Sequence, residues 1–438
     1  MPTPDTWAQL APQWFALGNT WAGIFGAPPD YVIEPTVRVG AIDYTGDTIE
    51  RVSIRRGRDT VYAQTQAGYA SFELIDVDGL TQPGVGQTVE FTVRSSTGNA
   101  DTLLFTGLLS DWDAEAIPTG GRPVVRYRLQ AVGPLARLNR RTVFFDGRDQ
   151  ETDGARVAAA IGEGTARSYE EVSTSLRYSD VGAAVTYDTF DAGAPDLLDP
   201  GVFQIAALDP SESGYSALQV AGEAGSSAEG VLFETADGFI GYADSNRRST
   251  AAAADAFARL PFAEVSTAGV AVTQKFADVT NRVTVEFAGG AVTETLQQSV
   301  DVFGEVLASR LSTNLANQSA AEQRAEVFLE RHSDRTRQLG RLEFNLRGVR
   351  ADIRDVLLGL NTNSPIVLTG VPSNLGFTRF AGFVEGVDIT FSEFEANIGL
   401  LVSDEALSTG AVRYSVVPET VAWEDVDPTL KYEDARSL

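Results

Sequence analysis

The sequence predicts a mainly β fold with an α+β insertion: two related β-barrel domains, a small α/β domain between them, and extended arms at both ends. Three observations lead there. Residues 103–112 give the clearest strand signal of the first third, and residues 378–387 echo it. The two share Phe105-Thr106-Gly107 and Phe380-Ala381-Gly382, each followed by two large apolar residues. Each copy also follows a shorter apolar strand and a polar loop, 89–93 in one case and 365–368 in the other, so the pair reads as one module used twice. Elsewhere apolar residues alternate with period two, the mark of half-buried strands, and in the middle of the chain that alternation gives way to helical spacing.

The N-terminal arm, 1–34, carries Trp7, Trp14 and Trp21 seven apart, with Leu10, Leu17 and Ile24 three positions after each. This is an a/d pattern that puts six large side chains on one helical face. Pro12 and Gly18 interrupt it and divide it into two short pieces. The arm either folds back on its own barrel or anchors on a neighbouring subunit, where aromatic side chains serve as anchors.

The first barrel, 35–143, is read from Val37, Val39 and Ala41, then Val52 and Ile54, then Ala70, Phe72 and Leu74, then Val89, Phe91 and Val93. The 103–112 strand and a strand at 125–129 complete it, with turns at 44–47, 78–79 and 119–121. The α/β domain, 144–262, opens with a helix capped at Thr152-Asp153 and carrying Ala155, Val157, Ala158 and Ile161. A polar, irregular stretch follows at 165–215, then a short helix at 215–221 and a hairpin at 230–242 turning on Asp237-Gly238.

The second barrel, 263–404, begins with the alternating strand 281–287, a Gly289-Gly290 turn, and 291–299 pairing back. A helix at 319–332 sets Ala321, Ala325, Phe328 and Leu329 on one face. Strands at 342–346, 365–370, the echo and 395–400 close the domain. The C-terminal arm, 405–438, has no period. It holds Trp423-Glu424-Asp425 and Tyr432-Glu433-Asp434, an aromatic followed by two acids in both cases, and reads as a docking peptide or as a disordered acidic tail.

Composition excludes several function classes. A chain of 438 residues fits about three domains. No stretch reaches the roughly 18 consecutive apolar residues of a membrane span, and the N-terminus has no secretory pattern. Without cysteine there is no disulfide, thiolate chemistry or cysteine zinc site. A single histidine, His332, puts Ser-His-Asp catalysis out of easy reach, and its place at a helix end suits the helix dipole. With 60 acidic against 34 basic residues, the surface repels nucleic acid unless basic residues cluster.

No catalytic motif emerges, and the chain is not read as an enzyme. Asp76-Val77-Asp78-Gly79 starts like a calcium loop but lacks the third carboxylate and the glutamate at position twelve. Gly84-Val85-Gly86 lacks a third glycine and lies between strands. Arg55-Arg56-Gly57-Arg58 is a dense basic cluster, and Arg335, Arg337 and Arg341 form a looser one; both are expected to meet acidic partner surfaces. The interface candidates are Trp7, Trp14, Trp21, Arg55, Arg56, Arg58, Trp112, Trp423 and Tyr432. No cofactor or metal is expected.

The ordered set of 52–58, 68–74, Phe105-Thr106-Gly107, the 230–242 hairpin, 281–285, the 319–332 helix and 380–384 resembles the hub proteins of phage tails. That family includes the baseplate hub of contractile-tailed phages and the tail-associated hub of siphophages. The basic residues are nearly all Arg, with Lys only at Lys275 and Lys431, which reads as a GC-rich genome or as Arg chosen for interface pairing; the style of the sequence is similar to minor tail proteins of siphophages infecting high-GC Gram-positive bacteria.

The resemblance implies two barrels related by duplication and a homotrimeric ring at the virion's tail tip, whose six similar units match a six-fold tube and a three-fold tip. The implied partners are the distal tail protein, the tape measure C-terminus, and tip, fibre or other minor tail proteins. DNA would pass through the lumen without specific binding, helped by acidic charge. The short stretch after the second barrel leads to the expectation of a minimal structural hub without an added hydrolase or receptor-binding domain. Alternatives are a receptor- or cell-wall-binding adhesin and a cell-wall glycosidase built on two carboxylates.

Overall fold

The first third of the chain forms β1 (Ile33–Val39), β2 (Ile42–Thr45), β3 (Ile49–Gly57), β4 (Gln66–Asp76), β5 (Thr88–Ser95), β6 (Asp101–Ile117) and β7 (Val124–Val132). A computed structural model describes residues 33–409 apart from 62, 78–82, 96–100, 119–123, most of 166–196, 212, 249–256, 267–269, 335–336, 376, 378 and 393–394. The middle holds α1 (Pro134–Asn139), α2 (Asp153–Thr165), α3 (Ala217–Ser227), the hairpin β8 (Val231–Glu234) and β9 (Ile240–Ala243), and β10 (Ala258–Pro261). Then come β11 (Arg282–Phe287), β12 (Gly290–Thr295), α4 (Gln297–Phe303), β13 (Ala308–Ser312) and α5 (Gln318–His332). The last part is β14 (Leu342–Asn345), α6 (Ala351–Gly359), β15 (Pro365–Thr369), β16 (Arg379–Ser392), β17 (Ala396–Asp404) and α7 (Ala406–Thr409). The helix expected at 319–332 forms within one residue of its predicted start. The strand expected to run through 299 ends at Thr295 instead, because α4 starts at Gln297.

Twelve strands join one sheet in the order β10-β15-β16-β3-β4-β7-β6-β5-β1-β2, with β17 on the other edge of β16 and β14 beyond it. The length of β16 makes this possible. Its residues 379–383 pair with β15 and its residues 386–392 with β3, while β17 occupies the opposite edge. The expected closure of the strands into barrels is not found among the described residues. The pairing there is open, and the two β regions meet strand to strand through β3 and β16. They also share a core: Phe91 of β5 and Phe391 of β16 meet edge to face at 5.3 Å, and Phe72 lies 6.4 Å from both Phe91 and Phe105. Each buried ring contributes about 2–3 kcal/mol of apolar burial.

The Phe-x-Gly echo corresponds to repeated three-stranded meanders, β5-β6-β7 and β15-β16-β17. In both, the phenylalanine ring lies over the glycine two residues on, since i and i+2 share a face of a strand. A Cβ on Gly107 would stand 2.6 Å from the Val132 carbonyl and 2.7 Å from the Phe105 ring. A Cβ on Gly382 would stand 2.0 Å from the Ser403 carbonyl and 2.8 Å from the Phe380 ring. Both meanders also carry a β-bulge at the same offset, Ser110 in one and Glu385 in the other. Each bulge shifts the inward parity of its strand. Val387 after the second bulge is fully buried, and Trp112 at the equivalent place packs on the core and against Tyr127, 6.1 Å between rings.

A second core gathers α1, α2, α3, the β8–β9 hairpin, β11, β12 and α5. Val283 and Val285 of β11 lie under Ala321, Ala325 and Leu329 of α5, the face that the helical spacing predicts. The stretch 263–404, read as one unit, thus divides between two cores: 339–400 packs with the large sheet and 283–329 with the α/β part. Strand hydrophobicity alone does not reveal which core a strand's buried face meets.

Candidate functional site

Where the two cores meet lies a cleft of about 560 Å³ lined by Arg58, Arg248, Arg324, Arg331, Glu229 and His332, among others. Two carboxylates organise it, Glu385 buried and Glu229 half-buried. Glu385, at the β16 bulge, is 1% exposed. Arg58 Nε donates to its Oε2 at 2.6 Å, and Arg248 donates through Nη1 to Oε1 at 2.6 Å and through Nη2 to Oε2 at 3.0 Å. Ser403 Oγ donates to Oε1 at 2.5 Å. Arg248 is fixed further by Asn363 Oδ1 at 2.6 Å, Ser408 Oγ at 2.9 Å and the Phe383 ring, 5.0 Å from its guanidinium carbon. Burial alone would raise the Glu385 carboxyl, but Arg248 and Arg58 outweigh it and hold it well below the usual range.

Glu229 follows the C-terminal cap of α3 and has φ 61, a left-handed conformation that costs a non-glycine residue about 1–2 kcal/mol. Its carboxylate takes Arg331 Nη1 at 2.6 Å, lies 3.2 Å from Arg324 Nη1, and has His332 Nε2 at 3.9 Å. Burial pushes this carboxyl up, yet Arg324, His332 and Arg331 bring it down to about 2. Arg331 also donates to the Ser245 carbonyl and Arg324 to that of Ser227, so α5 is tied to the end of α3 and to the segment after β9.

A third carboxylate is sealed away from the cleft. Glu234 accepts from the Gly68 and Leu135 N–H groups, both at 2.6 Å, and so caps the first turn of α1. A Cβ on either Gly68 or Gly133 would stand 2.5 Å from its Oε2. Burial raises this carboxyl to about 7, against the opposing pull of the two backbone donors and Arg56.

The basic cluster in β3 divides by strand parity. Val52, Ile54 and Arg56 face inward, and Arg58, just past the strand's end and an irregularity at 55–57, is buried as well. Arg56 is 2% exposed and donates to Asn361 Oδ1 at 2.7 Å; Arg58 is held by Glu385. Both, expected on a partner-facing surface, are turned into the chain. Arg55 stays on the outer face, paired with Asp59 and lying 3.8 Å from Asp388. Asp388 also takes Arg341 at 2.9 Å, so one member of each basic cluster meets at a single aspartate. His332 ends α5 as predicted, buried against Phe328 at 4.3 Å. Trp7, Trp14, Trp21, Trp423 and Tyr432 lie outside the described residues.

Sequence reasoning missed Glu385, Glu229 and Arg248. The inward parity of Arg56 was a usable signal that the chain must supply inward-facing acceptors. The two cleft carboxylates are held ionised by arginines, which suits a structural clamp and not a general acid. Among the described residues no group of three or more His, Asp or Glu side chains is placed to hold a metal, and no helix is long and apolar enough to cross a membrane.

No protein-family model matches the chain, and no curated protein matches it in sequence. Solved structures do. The 43 kDa tail protein of prophage MuSo2 from Shewanella oneidensis matches with a TM-score of 0.53 at 12% identity, over 86% of this chain and 99% of that one. The tail protein from Neisseria meningitidis MC58 matches with a TM-score of 0.53 at 11% identity, over 86% of this chain and 98% of that one. At such identity the likeness is one of fold, shared with these two tail proteins along nearly their whole length.

Proposed function

We propose that the chain is a structural component of a phage tail tip, a hub whose three copies form a ring. In this reading the ring joins a six-fold tail tube and its distal tail protein to a three-fold tip, and its channel passes the tape measure C-terminus and then DNA. Tip, fibre or other minor tail proteins attach below. The protein acts in the virion, as a minor tail protein of a siphophage with a high-GC Gram-positive host, and has no catalytic role. The 1–34 arm anchors on a neighbouring subunit, the 405–438 arm serves as a docking peptide, and the meanders within the 35–143 and 263–404 regions present the duplicated faces.

The observation that carries this reading is the shared fold with two tail proteins, supported by the duplicated meander. Two meanders with the same Phe-x-Gly and the same bulge offset give each copy two similar β units. Three copies then offer six, which is how a three-fold ring meets a six-fold tube. The acidic balance supports the channel role, since phosphate adhesion requires Lys and Arg contacts. Electron microscopy of the purified protein tests the proposal. A three-fold ring is expected; a monomer that cleaves peptidoglycan would overturn it in favour of the glycosidase reading.

A further inference from the structure

The cleft gathers its arginines in two pairs, each pair around one carboxylate. Each organising carboxylate is shared by two guanidinium groups, Glu385 by Arg58 and Arg248, and Glu229 by Arg324 and Arg331. Each cluster thus keeps one positive charge more than its carboxylate neutralises, in a chain of net charge −26. All four arginines are at most 9% exposed and line the cleft. Arg324 Nη1 is buried, with only the Glu229 contact at 3.2 Å and no well-formed hydrogen bond. The lining also holds two further carboxylates, Asp244, which accepts from the Asn246 and Arg247 N–H groups, and Asp278, which accepts from Gln338, so the surplus is local to the two arginine clusters and not a property of the whole cleft. Beside the arginines are the apolar side chains of Leu218, Leu311 and Phe328.

The last described element, α7, contributes Leu407 and Ser408 to this lining, and Ser408 accepts from Arg248. The chain therefore leaves the described structure at the cleft. Its remaining residues include an acidic and aromatic stretch: Glu419, Trp423, Glu424, Asp425, Asp427 and then Tyr432-Glu433-Asp434.

We propose that the cleft is a binding site for an acidic peptide bearing an aromatic side chain, and that its occupant is the 419–434 stretch of this chain. Carboxylates of the stretch meet the arginine clusters, and an aromatic ring meets the apolar part of the lining. Planar guanidinium groups suit this pairing better than lysines would. The proposal does not rest on the tail-tip reading.

The chain has no cysteine, so paired cysteines report the contact in the full-length protein. Ser226→Cys lies at an exposed position of the cleft lining, and Val426→Cys lies in the acidic stretch. Val85→Cys, at a position 66% exposed and outside the lining, serves as the control partner. Under mild oxidation, Ser226→Cys/Val426→Cys is expected to form its disulfide at least tenfold faster than Val85→Cys/Val426→Cys. Adding Glu424→Lys and Asp425→Lys is expected to slow it about tenfold, the scale of two weakly screened ion pairs. A cross-linked monomer supports the proposal, and a dimer band alone would overturn it in favour of a second copy as the occupant. Equal rates for the two cysteine pairs, or no effect of charge reversal, would overturn it. Sedimentation of the same samples reports ring formation separately, so failure of the hub reading would be distinguishable.

Discussion

Arg58 Nε and Glu385 Oε2 lie 2.6 Å apart in the folded chain although 327 positions separate them in sequence. The contact joins the end of β3 to the bulge of β16 and lies at the seam between the two β regions. Removing the carboxylate would leave two buried arginines unpaired. Glu385→Ala is expected to destabilise the fold by about 3–5 kcal/mol, whereas replacing all three charges with apolar residues of similar size should cost far less. Urea denaturation of the single and triple variants checks this.

The carboxylates Glu229, Glu385 and Glu234 make opposite demands on pH. Glu229, held at about 2 against the usual 4.5, stabilises the fold above the usual value, and that contribution is lost as pH falls through about 2. Glu385 acts in the same direction. Glu234, raised to about 7, contributes fully below 4.5, and its contribution is lost as pH rises through about 7. The contributions of Glu229 and Glu234 are each on the order of 3 kcal/mol. Denaturation midpoints measured across pH should therefore fall at both ends, and Glu234→Gln should remove the decline between about pH 5 and pH 7.

The Phe-x-Gly glycines are predicted to resist replacement for a backbone reason. Gly382→Ala brings Cβ within 2.0 Å of the Ser403 carbonyl, and Gly107→Ala within 2.6 Å of that of Val132. Overpacking of this kind costs about 1–3 kcal/mol, with Gly382→Ala the worse of the two. Adding Phe380→Ala should not rescue Gly382→Ala, because the carbonyl remains. Gly222→Ala in α3, where nothing lies within 4 Å, should instead stabilise by about 0.5–1 kcal/mol.

Gly68→Ala and Gly133→Ala press on the Glu234 carboxylate from two sides. Each should destabilise by about 1–3 kcal/mol. Combined with Glu234→Ala, each should cost less than the sum of the two single changes, because the clash and the capping bond involve the same carboxylate. A double-mutant cycle by thermal or urea unfolding measures this.

Deletion of residues 1–32 or 410–438 is expected to leave the unfolding transition of 33–409 in place while abolishing incorporation into tails. Circular dichroism and the protein content of purified particles measure the two effects.

Much of the architecture was legible. Period-two alternation located β1, β3, β4 and β5, helical spacing located α5, and the Phe-x-Gly repeat located equivalent meanders. The joining of both β regions into one sheet was not legible, because β3 and β16 meet through backbone edges that side-chain periodicity does not mark. The cleft was half legible. Arg56 shares the inward parity of Val52 and Ile54, but Arg58 lies past an irregularity at 55–57, Glu385 sits at a bulge, where parity changes, and Glu229 lies in a turn whose partners come from α5. The short helices α1, α4 and α6 escaped because each has too few turns to develop a clear period.

The β3–β16 pairing has a consequence for how the molecule is made. The open edge of β3 is covered by residues 386–392, which leave the ribosome long after β3 itself. Until then the growing chain carries an unsatisfied strand edge in the middle of its largest sheet. Such distant pairing slows folding, and an exposed edge invites pairing with other chains. Prematurely terminated products should therefore aggregate instead of entering assemblies, so that incorporation is restricted to copies synthesised at least through β16.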